Sequence, residues 1–359
     1  MSGVTAAAPA GGGLACGPLT TAGVIAMGNL DARIEGLAAQ AVPGKLTAYG
    51  WGELVELTAL RGHVGGRIDE AERAAALADM FVDRAPRDPR PLLARAQVAA
   101  QFHRFASALE DLEAAAVLGL DRRTVDEERA AVCQAVGRYD EALALCQRAL
   151  SRRRDFATLA AMARCHAENG GAAHEADEAA EAETWFLAAR RAYHGVSPFP
   201  LAILEFQCGR MWLVRGGPAR ARIWLESAVA RLPSYVPALG HLAEADAVEG
   251  RRAAAVERLR RLVLVSDDPV YATGLARLLG GCGASAEAWF WRAHAAARYE
   301  ELMARHPEAY VDHAAEFWLT VGGDPQRALR LSLQNLAHRP TPRARALVDR
   351  ARCRVGQRQ

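Results

Sequence analysis

Lysine is almost missing from this 359-residue chain. Lys45 is the only one, and arginine carries the remaining positive charge. That bias reads as GC-rich coding and points to a bacterial source, not to phosphate chemistry. Positive and negative side chains nearly cancel, leaving a formal net charge of +2, so no global field draws the chain toward nucleic acid. No apolar stretch approaches the roughly 20 residues that a bilayer span requires. The first thirty residues contain no charged side chain, so they lack the positive n-region of a secretory signal. Leu14-Ala15-Cys16-Gly17 is a faint lipoprotein-type cleavage pattern, but Gly13 stands where that pattern asks for a larger residue. A disordered tail over 1–30 is the expectation, in a cytoplasmic protein. Anchoring through Cys16 is the alternative.

Catalytic and metal motifs are also missing. There is no G-x-x-x-x-G-K-[ST] loop, no H-E-x-x-H, no G-x-S-x-G, and no G-x-G-x-x-G after a strand pattern. No histidine follows a glutamate by three residues, which removes the helical di-iron arrangement. The seven cysteines form no C-x-x-C pair. Cys133, Cys146, Cys165 and Cys208 fall in helical pattern, where the thiol behaves as a small apolar group. A disulfide between Cys133 and Cys146, on facing helices, is the other reading. His166 and His174 flank an acidic run with Cys165 adjacent, but ligands on a Gly-Gly loop are not pre-placed for a metal. The expectation is no enzyme activity, no metal and no cofactor.

What is present is alanine at a recurring place. Ala71, Ala108, Ala142, Ala182, Ala221, Ala255, Ala288 and Ala328 each open the second helix of a helix pair, at gaps of 37, 34, 40, 39, 34, 33 and 40 residues. A period near 34 with small residues at crossings marks stacked helix-turn-helix repeats. Glycines at 66, 137, 216, 250 and 322–323 supply the turns. Thr124 and Glu127 read as a capping box. Asn169-Gly170-Gly171 and the acidic residues Glu175, Asp177, Glu178, Glu181 and Glu183 read as a mobile insertion over 169–181.

The segment 202–235 carries the pattern best. Gly209 and Trp212 lie in its first helix, Ala221 and Ala228 in its second, and Pro233 closes it. On these residues the chain resembles the tetratricopeptide repeat family. The resemblance covers about 300 residues in eight pairs. It implies an all-α fold, a right-handed α-solenoid of stacked antiparallel helix pairs, over 31–341. A capping helix and tail follow at 342–359. In an open solenoid each repeat touches only its neighbours.

The family's partners usually lie along the concave groove lined by first helices. Superposing the repeats places Gln97, Gln101, Gln134, Phe206, Arg210, Glu244, Arg277, His313 and Phe317 there. The Lys, Asn and Arg set of the chaperone-binding members is replaced by Glu127 and Ala131, or by Phe206 and Arg210. The resemblance therefore implies a non-catalytic scaffold that takes a peptide or amphipathic helix of another protein, with no nucleic acid and no membrane span. A regulatory or sensor domain for a small molecule or signal peptide is the alternative. Trp289 and Phe317 mark a second place to look.

Overall fold

The computed structural model describes residues 17–41, 44–169, 175–281 and 285–357. Cys16, with its lipoprotein reading, and His174 lie outside them. Among the described residues there are eighteen α-helices and no strand. A leading helix, α1 (Gly23–Ala41), is followed by α2 (Ala48–Gly65) and α3 (Ile68–Arg84). Next come α4 (Pro89–Gln101), α5 (Phe105–Val117), α6 (Arg122–Ala135) and α7 (Tyr139–Arg152). The middle holds α8 (Phe156–Asn169), α9 (Glu175–Arg191), α10 (Phe199–Val214) and α11 (Pro218–Arg231). Then follow α12 (Val236–Val248), α13 (Arg252–Val265), α14 (Pro269–Gly280) and α15 (Ala286–Arg305). The chain ends with α16 (Pro307–Leu319), α17 (Pro325–His338) and α18 (Pro342–Gly356). Helices α2 to α17 form eight antiparallel pairs, stacked in order, with α1 before them and α18 after.

The helices start where local chemistry stops the preceding turn. Asp88, Asp268, Ser285 and Thr341 each cap a helix by accepting a backbone N–H through the side chain. The cap of α6 is Asp121, which accepts from the Thr124 amide at 3.2 Å, so the expected Thr124–Glu127 box sits inside the helix and not at its start.

Two further expectations are corrected. The tail does not run to residue 30, because α1 begins at Gly23. Ala26, Leu30, Ile34 and Leu37 recur at helical spacing and are all buried. From Glu175 on the acidic run is helical, in α9, and not a loop; residues 170–174 of the expected insertion lie outside the described residues. Glu183, counted there as solvated, is buried. It accepts from Trp224 Nε1 at 2.6 Å and from Arg220 at 2.8 Å.

Small residues sit at the crossings as the repeat pattern requires. A Cβ on Gly209 would lie 2.6 Å from Leu225 Cγ and 3.2 Å from the Ala221 carbonyl oxygen. Gly209→Leu is therefore expected to destabilise by about 1–3 kcal/mol through overpacking, seen as a lowered Tm. Gly216 differs: nothing lies within 4 Å of its would-be Cβ, but its φ is +74°. The same substitution there acts through backbone conformation alone. An unchanged Tm for Gly209→Leu would show that α10 and α11 do not cross there.

The solenoid is not open. After roughly 200 residues the second superhelical turn comes back against the first, so that within-pair turns of the early repeats meet between-pair turns of the late ones. At α2–α3, Ser266 Oγ donates to the Gly66 carbonyl. The Asp267 carboxylate accepts from the amides of Ile68 (2.6 Å) and Asp69 (3.2 Å). Helix α3 has no side-chain cap of its own, so a residue 199 positions away supplies it. At α4–α5, His103 Nδ1 lies 3.2 Å from the Glu308 carbonyl, and His306 bridges Arg104 (3.0 Å) and Glu72 (2.7 Å). At α6–α7, Arg339 Nε donates to the Ala135 carbonyl at 3.1 Å. His63 Nε2 and the Tyr235 hydroxyl, 2.8 Å apart, add an interior contact. The expectation that repeats touch only their neighbours is thus overturned by a seam of polar contacts.

The cysteine pairing also shifts. Cys146 and Cys165 are the touching thiols, 3.2 Å apart on α7 and α8, with Cys133 buried in the same cluster.

Candidate functional site: the inner face

First helices of successive pairs pack against one another along the solenoid, and polar side chains link them rung by rung. Gln97 Nε2 on α4 donates to Glu128 Oε1 on α6 at 2.7 Å. Gln134 Nε2 on α6 donates to the Arg164 carbonyl on α8 at 2.7 Å. Arg210 on α10 reaches Glu168 on α8 at 2.6 Å. Gln101, at the end of α4, is exposed. Farther along, His241 Nδ1 lies 3.0 Å from Glu244 Oε2. The charges of Arg277 and Arg343 also act on the Glu244 carboxyl. His313 on α16 is half exposed and lies 3.8 Å from the Asp312 carboxylate.

The electrostatics follow from this crowding. Burial pushes the Glu128 carboxyl up, and the charges of Glu127 and Glu56 add to it against the opposing pull of Gln97 and Arg164. Burial would raise Glu244 as well, but the His241 hydrogen bond and the Arg277 and Arg343 charges hold it below its ordinary value. Asp268, the cap of α14, is raised by burial, with His313 opposing. The inner face is therefore a chain of polar donors and acceptors of both signs.

Of the nine residues that repeat superposition names, seven have accessible side chains. Two do not. Phe317 is fully buried, its ring 5.3 Å from Tyr299 and 5.0 Å from Trp318. Phe206 packs in the core against Tyr235 at 5.3 Å and is 9% exposed. Phe317, four residues after His313, is apolar and bulky and packs against Tyr299 and Trp318 in the core. Superposition missed Glu128 and Glu168, the carboxylates that partner Gln97 and Arg210. Both were findable in sequence as inner positions on α6 and α8. Among the described residues no three His, Cys, Asp or Glu side chains cluster as a metal would need. None of the described helices is long and apolar enough to cross a membrane.

No family model and no curated protein matches the sequence. Solved structures do. The Cut9–Hcn1 structure, a hetero-tetramer of the APC/C, is similar at 12% identity and a TM-score of 0.50, over 83% of this chain and 55% of that one. This chain thus spans little more than half of that relative's length. Human IFIT1, solved as a dimer with PPP-AAAA, is similar at 16% identity and a TM-score of 0.54, over 87% of this chain and 78% of that one. A tetratricopeptide repeat protein from Parabacteroides merdae is similar at 14% identity and a TM-score of 0.42, over 73% of this chain and 98% of that one. What is shared is the fold: an all-α solenoid of stacked antiparallel helix pairs, as in tetratricopeptide repeat proteins.

Proposed function

We propose that this chain is a non-catalytic scaffold that takes a peptide segment of another protein along its inner face. The observation that carries the reading is the ladder Gln97–Glu128, Gln134–Arg164 and Glu168–Arg210, which runs across four successive first helices. An extended peptide presents backbone N–H and C=O groups along its whole length. A wall of alternating donors and acceptors is suited to pairing with them, and forked Arg210 is suited to a carboxylate or carbonyl. The family's peptide-binding habit supports the same reading.

Arg210→Glu tests it. Peptides selected from a displayed library against the full chain are expected to lose at least about tenfold in affinity for this variant, since charged hydrogen bonds carry that much. Arg210 is partly exposed, so helical content and Tm should stay close to the parent's. Changing Phe206 at the same time would confuse the result, because that ring belongs to the core. An oligonucleotide bearing a 5′-triphosphate serves as the competing arm, since a protein of this fold was solved with PPP-AAAA. Peptide binding unmoved by Arg210→Glu, or displaced fully by the oligonucleotide, would count against a peptide partner.

A further inference from the structure

Beyond the ladder, a cavity of about 720 Å³ opens on the C-terminal turn, between α14, α15, the α16–α17 turn and α18. Its volume is in the range of small-molecule sites. Arg277, Arg292 and Arg354 enter it from three different helices. No described Asp or Glu lines it, and none of the three arginines has a carboxylate within ion-pairing distance among the described residues. Arg292 is held in place: it donates to the Gly322 carbonyl at 2.8 Å and its guanidinium lies 4.8 Å from the Trp289 ring centroid. Trp289 itself is 56% exposed, with Arg292 over one face of its ring. Leu319 and Val321 supply an apolar wall.

We infer that this cavity is a binding site for a small organic phosphate carrying a planar ring, of the nucleotide class. Three converging guanidinium groups suit a group with two or more negative charges, because each fork can give two parallel hydrogen bonds to phosphate oxygens. The open face of Trp289 suits a flat ring stacked on it. A carboxyl-bearing chain without a ring would leave Trp289 uncovered, and inorganic phosphate would leave most of the volume empty. The site is separate from the inner ladder, none of whose residues lines the cavity.

Calorimetric titration of the full chain with AMP, GMP and ADP tests the inference, with adenosine and pyrophosphate as the ring-only and charge-only probes. The expected result is saturable binding of at least one nucleotide, no saturation by adenosine, and pyrophosphate weaker by about tenfold or more. Arg354→Gln is expected to weaken the nucleotide by about tenfold with unchanged Tm, because Arg354 is exposed and unpaired. Trp289→Ala should remove the preference for nucleotide over pyrophosphate. No saturable binding of any of the three nucleotides overturns the inference. So does binding indifferent to both substitutions, or pyrophosphate binding as tightly as the nucleotides. Peptide selection against Arg210→Glu reads the ladder separately, so either site can fail alone.

Discussion

Glu205→Ala is expected to be the most damaging single substitution in the chain. Glu205 lies on α10 and is fully buried. Its Oε1 accepts from Arg190 Nε on α9 at 3.0 Å, and both its oxygens accept from Arg231 Nε on α11 at 2.9 Å. Arg190 is itself buried, and Arg231 also donates to the Pro18 carbonyl, which ties the residues before α1 to the middle of the molecule. One carboxylate thus holds together three helices and the start of the described chain. Removing it takes from both guanidinium groups the carboxylate they share in low dielectric. Breaking a buried pair in this way costs roughly 3–5 kcal/mol. Denaturant unfolding should show a midpoint shift of that size in the phase that reports α9 to α11. Glu205→Gln, which keeps an acceptor oxygen but loses the charge, should fall between. A triple change to Arg190→Met, Glu205→Leu and Arg231→Met should recover much of the loss, because it removes the desolvation penalty with the charges. If Glu205→Ala leaves the midpoint where it was, the ion cluster contributes nothing.

The repeat pattern was legible because it is local. Gly209 and Ala221 belong to one helix pair, and the need for a close crossing leaves small residues at fixed spacing. The eight pairs follow from that. Helix α1 was hidden because its first turns are written in Gly, Ala and Met without charge, a composition that reads as a tail until Leu30 and Ile34 find a core to fill. The acid run was misread for a related reason. Carboxylates are solvated by default, and only the arrival of Arg220 and Trp224 from the next pair makes a buried Glu183 tenable. The seam could not be read at all. Asp267 capping α3, or Arg339 reaching Ala135, joins residues about 200 positions apart, and nothing near Asp267 in sequence encodes the superhelical pitch that brings them together. Repeat superposition names the candidate positions on the first helices from sequence alone. The burial of Phe206 and Phe317 was not legible that way, because a bulky apolar ring takes the nearest core.

His103 shows the seam's hold on local structure and makes it measurable. Glycine occupies the positive-φ place in the within-pair turns at Gly66, Gly137, Gly216, Gly250 and Gly323. In the second pair that place is taken by His103, with φ 55°, among the described residues the one non-glycine in that region. A bulky residue there is strained unless something else requires it. The seam does: His103 Nδ1 lies 3.2 Å from the Glu308 carbonyl, to which it donates when protonated, and 3.3 Å from Arg339, from which it accepts in the other tautomer, and its ring stacks on Phe105. Burial first, and then the Arg339 charge, push its pKa from 6.5 down to about 4, against the opposing influence of Asp312 and the Glu308 carbonyl and with a smaller lowering from His313. The folded chain therefore keeps this imidazole neutral where the unfolded chain protonates it. The sign follows: its contribution is intact above about pH 6.5 and is lost as pH falls toward 4, by about 3 kcal/mol in total. Burial lowers His63 in the same direction. Asp312, whose pKa is lowered, loses its contribution only in the ordinary carboxylate range and below, whereas Glu128 and Asp268, raised by burial, gain stability as pH falls and oppose the histidines, so the His103 share is read as the difference between the parent chain and His103→Asn from pH 7.5 to 4.5. His103→Asn should remove the His103 share of that pH dependence and leave the His63 share, since asparagine tolerates positive φ and carries no titrating proton. Denaturant midpoints at the two pH values measure it. Small-angle scattering at pH 4.5 should show the parent chain extended, its second superhelical turn released from the first, while the helices remain. Equal pH dependence in the parent and in His103→Asn would mean that the seam is held elsewhere.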